Sequence, residues 1–447
     1  MENVVKGQLF FRELAQTPKY SGMDPKLGSF LKDYLAGEKV IRFGDLAVIN
    51  THFPPYPSAA FDTMIDQFGR IGQACEARHL YSVTIAVTNR CPYNCWHCYN
   101  AGRSQEDLSL AQFQAMADQL NAMHVVKVTL SGGEPLIRAD LEAIVSAFGP
   151  EVSTCLNTTG FGLTAERARQ LKEAGLFALG VSLDSMVPDE HDRMRGKPGA
   201  FDIALEALNM ASEAGLYPYV IAVATRDLLC AERFYPFMEF VASTPALEVH
   251  LLEPCATGKL EGQSDVCLTQ AERSKLLDYQ KEFATDEATP ILSTFAHLES
   301  AQAFGCGAGL THLYIDGSGE VCPCNFVPLS FGNIKEAPVA SILSSMGQFF
   351  KKPRTTCVGQ CLTKHVDSAT LPASPEQSVK ICEQYLEVSH AVPELVHVQE
   401  QISAGVGSVE LQNAYDKIHG DYDQFWLTQA ATPIHELIDQ LPFTGHE

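Results

Sequence analysis

Between residues 81 and 252 the chain alternates short apolar runs with longer segments whose apolar positions recur every three or four residues. Runs of the first kind predict strands buried on both faces, and segments of the second kind predict amphipathic helices. Strands are expected at 81–88, 125–130, 152–158, 177–184, 217–225 and 247–252. Helices are expected at 109–123, 139–148, 164–174 with Gly175 as its stop, 201–213 and 232–242, while the charged, glycine-bearing stretch before Phe201 reads as a loop. This alternation predicts an α/β fold, a parallel sheet curved into a partial (β/α)6 TIM-like barrel. Chemistry in such a barrel collects at the carboxyl ends of the strands, where the βα loops converge.

The flanks differ from this core. Residues 1–80 read as an N-terminal extension without a winged-helix, leader-binding pattern, and Asn50-Thr51-His52-Phe53-Pro54-Pro55-Tyr56-Pro57 within it packs on the barrel or borders a substrate channel. The barrel proper is expected over 81–260, a linker helix over 261–300 and a small α+β unit over 301–382. A helical C-terminal appendage is expected over 383–447, from helical spacing at 381–390, 394–402 and 409–426.

Composition narrows the setting. A chain of 447 residues that is 46% hydrophobic fills one large core and smaller satellites. Fourteen cysteines behind a polar start, Met-Glu-Asn-Val-Val-Lys-Gly, fit a reducing cytoplasm in which clustered thiols hold metal or do chemistry. No run of about twenty apolar residues suggests a membrane span. Residues 1–80 carry nine Lys and Arg against nine Asp and Glu, so the whole formal charge of −22 falls on 81–447. That excess argues against nucleic acid as substrate or partner.

Thr-Asn-Arg-Cys-Pro-Tyr-Asn-Cys-Trp-His-Cys-Tyr, at 88–99, follows the first strand and places Cys91, Cys95 and Cys98 in a Cys-x3-Cys-x2-Cys spacing. Three thiolates on a 4Fe-4S cluster leave one iron open for chemistry, whereas a zinc site or buried thiols are the plainer readings of the same residues. Ser-Gly-Gly-Glu-Pro, at 131–135, ends the second strand. Together these motifs resemble the radical SAM superfamily, although His97 stands where that family usually has an aromatic residue. The resemblance implies a 4Fe-4S cluster at Cys91, Cys95 and Cys98 whose open iron chelates S-adenosylmethionine. Reductive cleavage of that cofactor then yields a 5′-deoxyadenosyl radical. It further implies cofactor contacts from Gly132, Gly133 and Glu134, from Asn157, from Ser182 and Asp184, and from Arg195 against the methionine carboxylate. Glu253, at the end of the sixth strand, is a candidate general base.

A second set of thiols follows. Cys306, Gly319 and Cys324 form Cys-x12-Gly-x4-Cys, with Cys322 nearby, Gly332 and Asn333 after a hairpin, a Cys357/Cys361 pair, and Cys382 alone. This arrangement resembles a SPASM or twitch domain, but 351–356 lacks the additional Cys-x2-Cys run of the two-cluster form. The resemblance implies one auxiliary cluster, 4Fe-4S in type, on Cys306, Cys324, Cys357 and Cys361, with Cys322 and Cys382 as alternatives. A second, incompletely ligated cluster and a structural zinc are the other readings. Cys75, Cys155, Cys230, Cys255 and Cys267 read as small buried hydrophobes. No Asp-x-His-x2-Gly cobalamin signature is present.

The function expected is hydrogen abstraction from a peptide or protein side chain for oxidative modification or crosslinking, with flavodoxin or ferredoxin as reductant. The alternatives are oxidation or decarboxylation of a small molecule such as a haem precursor or aminocyclitol, and a non-catalytic iron-sulfur electron-transfer or scaffold protein.

Overall fold

The structure, a computed structural model, describes residues 3–386 apart from 21, 22, 24, 72–79, 299–304, 352, 355, 356 and 367–370. Cys75 and the helical spacing expected beyond residue 386 lie outside the described residues.

Residues 1–80 hold a three-stranded antiparallel sheet, β1 (Val4–Lys6), β2 (Lys39–Phe43) and β3 (Leu46–Val48), and the helices Gly7–Gln16, Pro25–Ala36 and Ala59–Ile71. The barrel strands follow as β4 (Ser82–Thr88), β5 (Lys127–Gly132), β6 (Ser153–Thr158), β7 (Ala178–Ser182), β8 (Tyr217–Val223) and β9 (Glu248–Leu252). All six run parallel in sequence order, and β8 is buried at every residue, as a strand covered on both faces must be.

The sheet is longer than six strands. β10 (Ile291–Thr294), within the stretch expected to be only a linker helix, adds in parallel to β9. At the other edge β11 (His312–Ile315) pairs in parallel with β4, and β12 (Val321–Cys322) folds back against β11. Nine strands therefore run in the order β10-β9-β8-β7-β6-β5-β4-β11-β12, an open partial barrel whose sheet continues into the auxiliary unit. Sequence periodicity shows no sign of β10 and names no strand's neighbour, so this fusion was not visible in it.

Local signals set the helices. Ser109 with Gln112 and Thr269 with Glu272 form capping boxes at the starts of Leu110–Ala122 and Gln270–Thr285. The segment read as a charged loop contains the helix Pro188–Arg195, begun by Pro188 and stopped by Gly196 in the left-handed region at φ 62. It has almost no apolar face. Tertiary contacts hold it instead, since the Asp184 amide donates to His191 Nδ1 at 3.1 Å and Arg195 pairs with Asp184.

The stretch 50–57 closes the amino-terminal end of the barrel. Thr51 donates through its amide and hydroxyl to Glu248 at 2.9 and 2.8 Å, and Lys127 donates to the Thr51 carbonyl. His52 lies edge-on to His250 with 4.7 Å between ring centres.

Candidate active site

β4 and β5 stay in register from Ser82 opposite Lys127 until an irregularity between Ala86 and Thr88, where the chain turns into the cysteine loop. Three neighbours brace that loop. The Gly133 amide donates to the Thr88 carbonyl at 2.8 Å and the Glu134 amide to the Arg90 carbonyl at 2.9 Å. A Cβ on Gly132 would stand 2.2 Å from the Thr88 carbonyl oxygen and one on Gly133 2.0 Å from that of Arg90, so only glycine lets the two loops touch. On the second side the Asn94 and Trp96 amides donate to the carbonyls of Arg195 and Met194 at the end of Pro188–Arg195. On the third side Gly258, at φ 58, lies against the Cys98 carbonyl, which accepts from the Lys259 amide at 3.1 Å.

Cys91, Cys95 and Cys98 border one cavity together with Gly132, Gly133, Asn157, Ser182 and Arg195. Five of the seven cofactor contacts expected from the sequence are thus gathered there. Glu134 and Asp184 are not. The Glu134 carboxylate is wholly buried and accepts from Thr158 Oγ1, from the Thr159 amide and hydroxyl, and from the Leu136 amide. Burial raises it, and these donors partly offset the rise. Asp184 accepts from the Val223 amide at 3.0 Å and pairs with Arg195 at 2.8 Å. Burial alone would raise its pKa, but the charge of Arg195, then those of His97 and His191, hold it below the usual carboxylate range. Both acids are thus held by residues that border the cavity, Thr158 and Thr159 for Glu134 and Arg195 for Asp184.

Arg195 does border the cavity, and its guanidinium reaches Cys95 as well as Asp184. Tyr219 was missed in the sequence. Its hydroxyl donates to Asn157 Oδ1 at 2.5 Å, and its ring lies across from Gly180, where any Cβ would stand 2.3 Å from it. A lone glycine inside an apolar strand was the available signal, because it marks a close approach.

A second cavity adjoins the first and shares walls with it, among them Thr84, Thr129, Glu253, Cys255, Phe295 and Phe326. Cys306, Cys324 and Cys357 border it. Backbone pairing joins their segments, with the Cys306 amide donating to the Arg354 carbonyl at 2.6 Å. Cys361, in the helix Val358–Leu362, does not border the cavity. Neither do Cys322 and Cys382. Cys322 is wholly buried on β12 beside Tyr314, where Arg103 Nη1 approaches its sulfur at 3.9 Å, and Cys382 is wholly buried in Pro375–Tyr385.

The remaining thiols divide. Cys155 and Cys255 are buried as expected, the first in a core cluster and the second as a cavity wall, but Cys267 is half-buried and Cys230 exposed. Burial, then the charges of Cys267 and Cys324, push the Cys255 thiol up. Glu253 borders both cavities, pairs with Arg273 at 2.9 Å, and is raised by burial against the lowering influence of that arginine. Tyr99, which borders the first cavity, and Phe326, which borders both, meet edge-on at 5.7 Å.

An open parallel barrel whose first strand feeds three thiols into a mouth walled by a glycine turn defines an enzyme class that holds a cluster and a nucleoside cofactor together. Comparison with known proteins makes this specific. Residues 85–225 match the Radical SAM superfamily and 306–363 match an iron-sulfur cluster-binding domain, SPASM. The chain is a radical SAM enzyme with a C-terminal SPASM domain, and the scaffold-protein reading falls away. The AdoMet-dependent heme synthase of Oleidesulfovibrio alaskensis is 25% identical over 296 residues, 60% of this chain and 75% of that one. Mycofactocin maturase MftC of Mycolicibacterium smegmatis is 30% identical over 256 residues, 55% of this chain and 64% of that one. Streptococcus suis SuiB, solved with the precursor peptide SuiA, shares the fold with a TM-score of 0.51 at 16% identity, covering 63% of this chain and 68% of that one.

The cofactors are a 4Fe-4S cluster, S-adenosylmethionine and an auxiliary iron-sulfur cluster. The first mouth fits its pair. Its three thiols face a cradle that Cβ atoms on Gly132 and Gly133 would break, and His97, which borders it, keeps Nδ1 buried without a hydrogen-bond partner among the described residues. Burial raises the Cys98 thiol, so loading this loop releases protons. No helix among the described residues is long and apolar enough to cross a membrane.

Proposed function

We propose that this enzyme abstracts hydrogen from a side chain of a peptide or protein and oxidises or crosslinks it. When bound, the cluster and S-adenosylmethionine supply the 5′-deoxyadenosyl radical for that abstraction. The carrying observation is the adjoining pair of cavities, because a substrate against Glu253, Phe295 and Phe326 touches walls of both cysteine sites. Cys91, Cys95 and Cys98 hold the first cluster. Gly132, Gly133, Asn157, Ser182 and Arg195 orient the cofactor, with Arg195 kept in place by Asp184 and available to pair with a carboxylate. Glu253 takes up the proton released on oxidation, its burial raising its basicity and Arg273 fixing its direction. Phe53, Phe295 and Phe326 keep water from the reacting carbon. MftC, named as a maturase, supports a peptide as substrate. A cytoplasmic setting with flavodoxin or ferredoxin as reductant suits the same reading.

A second reading, a small molecule such as a haem precursor or aminocyclitol, draws support from the aromatic lining of Phe30, Phe53, Tyr81, Phe295 and Phe326 and from the relatives named heme synthases. Anaerobic turnover with dithionite and S-adenosylmethionine separates the two. Peptides encoded beside the gene are expected to lose hydrogen pairs in step with 5′-deoxyadenosine release. Unchanged peptides together with decarboxylation of an iron porphyrin bearing propionates would replace the first reading by the second.

A further inference from the structure

A 4Fe-4S cluster takes four thiolates when fully ligated. The second cavity is bordered by three thiols of the auxiliary unit, Cys306, Cys324 and Cys357, and by one from elsewhere. That fourth thiol is Cys255, in the loop that leaves β9 just after Glu253 and Pro254. Its sulfur lies 3.1 Å, and that of Cys357 3.5 Å, from the point where a Cβ on Gly359 would stand. The two sulfurs therefore converge over one residue that has no side chain, and a larger residue at 359 would crowd both. Cys255 is only 6% exposed, and its own carbonyl accepts from the Thr257 amide at 2.8 Å, which turns the loop sharply at that point. Cys361 is one helical turn beyond Cys357 and is not part of this wall.

We propose that Cys255, contributed by the barrel, is the fourth ligand of the auxiliary cluster beside Cys306, Cys324 and Cys357, in place of Cys361. The cluster then bridges the two units and pins the β9 loop that carries Glu253. With four protein thiolates it has no iron left for substrate, so it serves as an electron carrier and does not anchor the substrate. The assignment holds for either substrate class.

The test uses the full chain with Cys91, Cys95 and Cys98 replaced by Ala, so that only the auxiliary cluster remains. Anaerobic reconstitution is expected to give about four irons and four sulfides per chain. In that background Cys255→Ser shifts the g values of the reduced cluster, because an oxygen replaces a sulfur on iron, and Cys255→Ala lowers the iron content by at least a quarter. Cys361→Ser changes neither. Unchanged iron and spectra in both Cys255 variants, with loss in Cys361→Ser, overturn the proposal. A reading independent of folding comes from the unmutated holoprotein, in which mild oxidation of clusters leaves persulfide sulfur on ligand cysteines. Peptide mapping is expected to find it on Cys255, and finding it on Cys361 instead rejects the assignment.

Discussion

The Glu134 carboxylate accepts four hydrogen bonds, one from Thr158, two from Thr159 and one from the Leu136 amide. Each partner is a donor. Glu134→Gln turns one acceptor oxygen into an amide that faces donors, and a buried polar group left unpaired costs about 1–3 kcal/mol. Urea unfolding of the variant is expected to show a loss of that size, while an unchanged midpoint would mean the carboxylate is free to face the cofactor. Asp184 makes the same point with a charge, since a residue that resembles a ribose ligand here pairs with Arg195. Residue type and spacing single out both acids, yet the direction of a carboxylate depends on donors supplied by other elements.

At the scale of elements, glycines decide where the loops meet. The cysteine loop touches the turn after β5, the end of Pro188–Arg195 and the Gly258 turn, and each contact falls at a glycine. Gly133→Ala would set a methyl group 2.0 Å from the Arg90 carbonyl oxygen, and backbone must move to admit it. Reconstituted Gly133→Ala is expected to lose about half of its iron, the share held by Cys91, Cys95 and Cys98, while the auxiliary cluster spectrum persists. Full iron content with normal cofactor affinity would show the contact to be looser. The helix Pro188–Arg195 belongs to this scale too. Six of its eight residues are charged or His, so no apolar stripe announced it, and contacts with Asp184 supply the stability that periodicity usually signals.

For the molecule as a whole, the two sites share one wall. The loaded chain is expected to hold about eight irons. Cys324→Ala should spare 5′-deoxyadenosine formation in the absence of substrate yet block product, and equal loss of both would reduce the auxiliary site to a structural part. Buried imidazoles give a second test at this scale. Burial holds His52, His191, His250 and His312 below their ordinary range, to about 4 for His191 and His312 and about 3 for His250. At these four rings the unfolded chain binds more protons than the folded one between those values and about 6.5, so their contribution to stability rises with pH through that window and is lost as pH falls, against an opposite contribution from the buried carboxyls Glu134, Glu248 and Glu253, which burial raises. Each group contributes up to about 1.4 kcal/mol per pH unit. The urea midpoint is expected to be clearly lower near pH 5 than near pH 7.5, and a flat profile would mean that these rings meet water.

Read alone, the chain determined its six-strand barrel, the three-thiol loop, the glycine turn and the thiols of a second site, because periodicity and close spacing are local properties of a polypeptide. Residues up to a few positions apart must share a loop or a face whatever the rest does. Tertiary structure alone decided that β10 and β11 extend the sheet, that Glu134 and Asp184 meet donors from neighbouring elements, and that Cys255 lines the cavity of Cys306, Cys324 and Cys357. Cys255 stands about fifty residues before Cys306 and about a hundred before Cys357. Packing of one βα loop against a distant helix brings these thiols to a common cavity, and no pattern within either segment encodes that meeting.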